Sequence, residues 1–277
     1  MNRLSVTDRA KILQCFVEDN SLRATTRLCS VSINTVTKLL IEAGTACGIY
    51  QTQVLRNLPC KRVQCDEIWS FCQTKEKNVP QAQKGQMGIG DCYAYTAICA
   101  DTKLCVSYLV GQRNTECTNE FMADLSGRLT GRIQLSTDVY GPYINAVELG
   151  FGSNVDFAMP VKTYSAPSVL VGAERRYSPA NFVSAAKRRN KGNPDVNEVS
   201  TSYVERKNLT MRMGMRRFTR LTNGFSKKMY NLECAVALHF MYYNFGRVHK
   251  SLRVTPAMEA GISDHIWTLE EIAKLVD

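Results

Sequence analysis

From residue 62 the apolar positions alternate with polar ones in KRVQCDEIWSF. The stretches CYAYTAICAD and CVSYLVG that follow are short, apolar and rich in aromatic or β-branched side chains. A period of two predicts strands, and the turn residues between them predict a three-stranded antiparallel meander. TNEFMADLSGRL then takes up a helical rhythm, and RIQLSTD returns to alternation with Ile133, Leu135 and Thr137 on one face. GPYINAVELGFG reads as a helix with Pro142 near its start, and VDFAMPVK as another strand. The order β-β-β-α-β-α-β, with a long helix after it, predicts an α/β fold: a mixed sheet with helices on its faces.

Residues 4–45 have a different pattern. Ala10, Ile12, Leu13, Phe16 and Val17 recur at helical spacing. A short helix opens at Ser21, and a third is capped by Ser32 and expected to stop at Gly44. Helix, short helix, turn, helix is the helix-turn-helix arrangement. Its third helix would present Asn34, Thr35, Thr37 and Lys38 near Ser32, side-chain types that reach phosphates and base edges.

The expected organisation is therefore an all-α helix-turn-helix domain at 1–48 and a linker at 49–61. An α/β core over 62–162 and 200–257 follows, and a tail helix within 258–277. Between the halves of the core, 163–199 is rich in Ser, Pro, Gly, Asn and charge, and reads as an insertion with one short helix near 179–189. Further helices are expected at 202–218, 229–245 and 269–276. The tail, with Ile266, Trp267, Leu269, Ile272 and Leu275, is expected to pack on the core rather than on a partner.

Composition narrows the function. The chain has 277 residues, 44% of them hydrophobic, enough for a real core. No apolar run approaches the ~20 residues that span a bilayer, and the first residues lack the apolar block of a signal peptide. No membrane partner and an intracellular location are expected. The 11 cysteines include no C-x-x-C pair, and Cys60/Cys65/Cys72 and Cys92/Cys99/Cys105 are too widely spaced for a zinc knuckle. They read as reduced thiols acting as small core residues. His239, among Leu238, Phe240 and Met241, reads as a core or surface histidine rather than a ligand.

The formal net charge is +10, and it is unevenly placed. Between residues 206 and 228 stand Arg206, Lys207, Arg212, Arg216, Arg217, Arg220, Lys227 and Lys228, with no acid among them. A field of a single sign points to a polyanion. Leu209, Met211, Met215, Phe218 and Phe225 in the same stretch mark it as ordered structure.

Three acids stand out by position. QCDEIWSFC puts two adjacent carboxylates in a strand, where acids are poor formers and costly to bury. Asp66 shares parity with Gln64 and Ser70, so it is the candidate for an open face. Glu67 falls with Val63, Cys65, Trp69 and Phe71, and is expected at a bulge or paired with a base. Asp138 closes a strand on its polar face, where ligands gather in α/β sheets. Glu205 stands near the start of the basic helix. Singly, Asp138 reads as a turn or cap residue, and Ser202-Tyr203-Val204-Glu205 matches a capping box. Together, the three suit phosphodiester chemistry. Divalent ions held by hard oxygens stabilise charge on the attacking and leaving oxygens, and nearby cations hold the backbone.

CDEIWSF, STDVYGPY and YVERKNLTMRMGMRRFTRLTNGFSKK together resemble the signature of DDE transposases of the Insertion Sequence One family. YYNFGRVHKSL, followed by VTPA, resembles a tail motif of integrase-core proteins. The resemblance covers roughly residues 60–257. It implies a ribonuclease H-like fold, with Asp66, Asp138 and Glu205 as catalytic residues holding two divalent ions, Mg or Mn. It implies cleavage of double-stranded DNA at the ends of a mobile element and joining of the 3′-hydroxyl to target DNA. Asn208, Arg212, Arg216, Arg217 and Arg220 would lie along the strand, with Arg247 and His249 near the DNA. Arg206, Lys227 and Lys228 belong to the same basic stretch. A homodimer or larger assembly at the bacterial nucleoid, in the cytoplasm, would follow. The chain departs from the family in lacking cysteines for an N-terminal zinc module, and in having Val139 where glycine often follows the second acid. Two other readings stay open: a repressor-like DNA-binding derivative without catalysis, and a ribonuclease H-like nuclease without strand transfer.

Overall fold

The centre of the molecule is strand β1 (Arg62–Cys72), which has neighbours on both edges. The computed structural model describes residues 4–165, 181–219 and 223–277. On one side β1 pairs antiparallel with β2 (Gly90–Cys99), which pairs antiparallel with β3 (Cys105–Gly111). This is the expected meander. On the other side β1 pairs parallel with β4 (Ile133–Thr137), and β4 parallel with β5 (Val155–Ser165). Parallel neighbours need crossovers, and these are α4 (Thr115–Ser126) and α5 (Pro142–Phe151). Strand β6 (Asn181–Lys191) closes the far edge antiparallel to β5. The six-stranded sheet runs β3-β2-β1-β4-β5-β6. With helices against it, this is the α/β fold with a mixed sheet that the periodicities predict, and it is consistent with the ribonuclease H-like fold that the resemblance implies.

Three expectations are corrected. The short helix expected near 179–189 is, over its described part, strand β6; edge pairing with β5 decides its conformation. The third N-terminal helix does not stop at Gly44. Helix α3 runs Ile33–Val54, so part of the expected linker is helical. Gly44 is a crossing point instead: a Cβ there would lie 2.4 Å from the carbonyl oxygen of Cys234 in α7 (Met229–Met241). The helix expected over 202–218 divides into α6 (Ser202–Gly214) and a 3₁₀ turn, Arg216–Phe218.

Helices α1 (Val6–Val17) and α2 (Leu22–Cys29) complete the N-terminal three, and Ser21 and Ser32 cap α2 and α3 as expected. These helices share one continuous core with the sheet: Ile12, Leu13, Val36 and Leu40 join Val236, Phe240 and the strand residues. The tail closes over them. Trp267 packs on Tyr50 at 4.9 Å between ring centroids and on Phe245 at 5.6 Å. Arg9 donates to the Ala273 carbonyl and to the Asp277 carboxylate. The tail thus packs on its own chain, beside α8 (Pro256–Glu259) and α9 (Leu269–Lys274). All 11 cysteines are free thiols, most of them buried. Among the described residues no helix is long and apolar enough to cross a membrane.

The α3–α7 crossing is open to test. Gly44→Ala forces a methyl group against backbone that cannot step aside. Its urea midpoint should fall by the equivalent of about 1–3 kcal/mol, the usual cost of overpacking. An unchanged midpoint would show that the two helices do not approach this closely.

Candidate active site

The register of the sheet builds the site. In the parallel pairing of β1 with β4, Cys65 stands opposite Thr137. One residue further on stand Asp66, midway along β1, and Asp138, the residue just after β4, so the two acids arrive side by side. Asp66, Glu67 and Asp138 each offer an oxygen within 4.8 Å of the others. No bulge interrupts β1 here. Glu67 is paired with a base, one of the two outcomes its position predicts. Its side chain is 2% exposed, and Arg113 Nε donates to its Oε2 at 3.2 Å. Arg113 NH2 also donates to Asp138 Oδ2 at 3.3 Å, while the guanidinium lies 3.9 Å from the Tyr140 ring centre. One cation therefore spans two of the three acids. Arg113 carries no sequence signal: it follows β3, far along the chain from both partners.

Helix α6 docks against the same strand. The Gln64 side-chain oxygen accepts from the backbone N–H groups of Tyr203 and Val204, at 2.8 and 3.3 Å. A residue of β1 thus satisfies orphan donors at the start of α6. The capping box expected at Ser202 does not form: the cap position is Thr201, and Glu205 lies inside the first turns. Asn208 donates from Nδ2 to Asp66 Oδ2 at 2.8 Å, and Asp66 Oδ1 accepts from the Glu67 N–H at 2.9 Å. Glu205 stands beside the acid cluster rather than within it. It pairs with Lys162 of β5 and accepts from Thr201 Oγ1 at 2.6 Å. Its charge still reaches the others, adding to the upward shifts of Asp66 and Asp138.

The electrostatics match a crowded acid site. Burial, then the Asp138 charge, pushes Asp66 up to about 6. Burial and Asp138 likewise raise Glu67 to about 7, against the pull of Arg113. Burial raises Asp138, again opposed by Arg113. Glu67 Oε1, Asp138 Oδ1 and the Tyr143 hydroxyl are buried without a formed hydrogen bond, though the hydroxyl lies close enough to Glu67 to pull its carboxyl down. Hard oxygens, mutual repulsion and orphaned lone pairs fit a magnesium- or manganese-type ion. Asp66 and Asp138 are the residues best placed to hold it.

A pH dependence follows. Between about pH 4 and 7 these raised groups bind more protons folded than unfolded, so stability falls as pH rises through that window. With a chelator present, chemical denaturation at pH 5 and pH 7.5 should show this loss, and Mn²⁺ at pH 7.5 should reverse part of it. Equal stability at both pH values, with no response to Mn²⁺, would contradict the shifts.

The expected DNA-facing residues divide. Asn34 and Lys38 are exposed on α3, Thr35 and Thr37 half-buried, and Ser32 is spent as the cap. Lys38 also pairs with Glu42 at 3.6 Å. Arg206, Arg216, Lys227, Lys228 and Arg247 are exposed, and Arg212 and His249 half-buried. Asn208 faces Asp66. Arg217 turns inward, its Nε donating to Ser226 Oγ at 3.0 Å. Lys207 is buried beneath α6, so the basic stretch is not one continuous charged face. Arg220 lies outside the described residues.

No family model and no curated protein matches the chain. Among solved structures, a chain in a crystal structure of the Mos1 strand transfer complex aligns at 14% identity and a TM-score of 0.24. The alignment covers 57% of this chain and 59% of that one, so this chain spans less than two thirds of that neighbour.

Proposed function

We propose that this protein is a DDE-type transposase that cleaves double-stranded DNA and joins the new 3′-hydroxyl to target DNA. One observation carries the reading: the β1–β4 register sets Asp66 beside Asp138, with buried oxygens left unbonded. A purely structural acid cluster would be fully bonded, whereas Glu67 Oε1 and Asp138 Oδ1 keep free lone pairs in a cluster only partly covered. The resemblance of the Asp66, Asp138 and Glu205 segments to the Insertion Sequence One family supports the same reading. Glu205, on the helix that Gln64 and Asn208 fasten to β1, is the third acid of the proposal, and it joins the other two by releasing Lys162.

A bound divalent ion would supply Lewis-acid stabilisation of the phosphoryl oxygens. The chain's own residues do the rest. Asn208 fixes the Asp66 carboxylate through Oδ2. Arg113 keeps Glu67 and Asp138 from repelling each other apart. Arg206, Arg216, Lys227 and Lys228 offer exposed charge to the DNA backbone, a contact that positions without reading sequence. Asn34 and Lys38, both exposed, would do the reading. Assembly as a dimer or larger would bring two element ends together.

The test is a nicking and joining assay with purified protein, Mg²⁺ or Mn²⁺, supercoiled plasmid and labelled DNA from the flanks of the coding sequence. Metal-dependent nicks and covalently joined products are expected. Nicks without joined products would leave a nuclease. Binding without nicks would leave a DNA-binding derivative, and the proposed enzyme would be lost.

A further inference from the structure

On the opposite side of α6 from the acids lies a hollow of about 750 Å³. Asn208 faces Asp66, whereas Tyr203, Arg206, Lys207 and Thr210, at three- and four-residue spacing, face the hollow. The other wall is the segment after α7, which supplies Arg247, His249 and Lys250, and the turn after β2 adds Lys103. Among the described residues no carboxylate lines it. The hollows beside Asp19, Glu42, Glu233 and Asp101 each have an acid in their walls. The ion pairs among the described residues leave out Lys103, Arg206, Lys207, Arg247 and Lys250.

Lys207 forms the floor. It is 4% exposed, its Nζ lies 2.8 Å from His239 Nε2 and 3.4 Å from the Tyr243 ring centre, and among the described residues it has no acidic partner. Burial holds this amine well below the usual lysine range, and an anion entering from outside would restore its charge. Guanidinium groups at the rim suit phosphate oxygens, which they can grip two at a time. The half-exposed ring of Tyr203, with Lys103 Nζ 3.3 Å from its centre, lies at the edge where a base could stack.

We propose that this hollow is a phosphate-binding site for a nucleic-acid strand, separate from the acid cluster and divided from it by the width of α6. Its use for a strand rests on nucleic acid being the substrate; its affinity for phosphate does not. A helix with its side chains is about 10 Å across, so a strand passing over α6 would seat here a phosphate about three nucleotides from the acids. Of the motif GRVHK, Arg247 and His249, which the resemblance sets near the DNA, form a wall of the site together with Lys250.

The experiment uses the full chain and two variants, Lys207→Met, which keeps the buried stem, and Arg247→Gln, which is exposed and leaves the core untouched. Binding of a labelled single-stranded 12-mer is measured by anisotropy, with inorganic phosphate and a mononucleotide as competitors. Mn²⁺ binding by electron paramagnetic resonance reports on the acids. Each variant should bind the 12-mer at least tenfold more weakly, with Mn²⁺ binding unchanged. Wild-type affinity in Arg247→Gln, or in folded Lys207→Met, overturns the proposal. So does a site that takes inorganic phosphate or mononucleotide in a Lys207-dependent way while the 12-mer ignores both variants. Loss of strand binding in a protein that proves unable to nick DNA would uphold this site and remove the transposase reading instead.

Discussion

Replacing Asp66 with Asn should reduce metal-dependent strand cleavage by about a thousandfold or more, equivalent to ~4 kcal/mol of activation free energy. The substitution is nearly isosteric, and Asn208 Nδ2 can still donate to the remaining oxygen. What disappears is the charge beside Asp138, at the one place where the β1–β4 register brings two acids together. Duplex affinity should stay within about twofold, because the exposed cations lie elsewhere. Mn²⁺ binding should weaken in parallel with cleavage. A folded Asp66→Asn protein that nicks DNA at the wild-type rate would remove Asp66 from the chemistry.

Arg113→Gln should be the most destabilising single change at the site, costing about 3 kcal/mol and lowering the melting temperature by roughly 6–10 °C. The magnitude sits at the low end for a broken buried pair because the Arg113 side chain is 36% exposed while Glu67 is 2% exposed. Without the guanidinium, Glu67, already raised to about 7, must either hold a buried charge beside Asp138 unopposed or take up a proton, and both cost stability. The double variant Arg113→Gln/Glu67→Gln should recover most of the loss, and Mn²⁺ should stabilise Arg113→Gln more than wild type. A melting temperature unchanged in the single variant would mean that the two ion pairs support nothing.

The sheet was legible because its strands obey local rules. Alternation in β1 and β4 marked both strands, and the closing position of Asp138 followed from where RIQLSTD ends. Strand β6 was not legible: its described sequence ends in AAKRRNK, with no apolar alternation, and only the partner β5 makes it a strand. The continuation of α3 through Gly44 was hidden for a related reason. Glycine reads as a helix stop, yet here its missing Cβ admits α7. At the site, Asp66 and Asp138 could be singled out by parity and position. The pairing of Glu67 with a base could be expected, but not its identity, since Arg113 lies 46 positions away and reaches it only through the fold. The inward turns of Lys207 and Arg217 were equally invisible, because a charge run shows sign and spacing but not which members face the interior.

Helix α3 runs without a break from the Ser32 cap to Val54, 22 residues or about 33 Å, and α7 braces it along the way. Such a strut makes the molecule a caliper. On the proposed reading, the rod fixes how far the gripping tip stands from the sheet it is braced against, so the interval between bound bases and cut is built into the fold. New spacing would then come only in whole helical turns, since any other insertion would rotate the gripping tip out of phase with the cut.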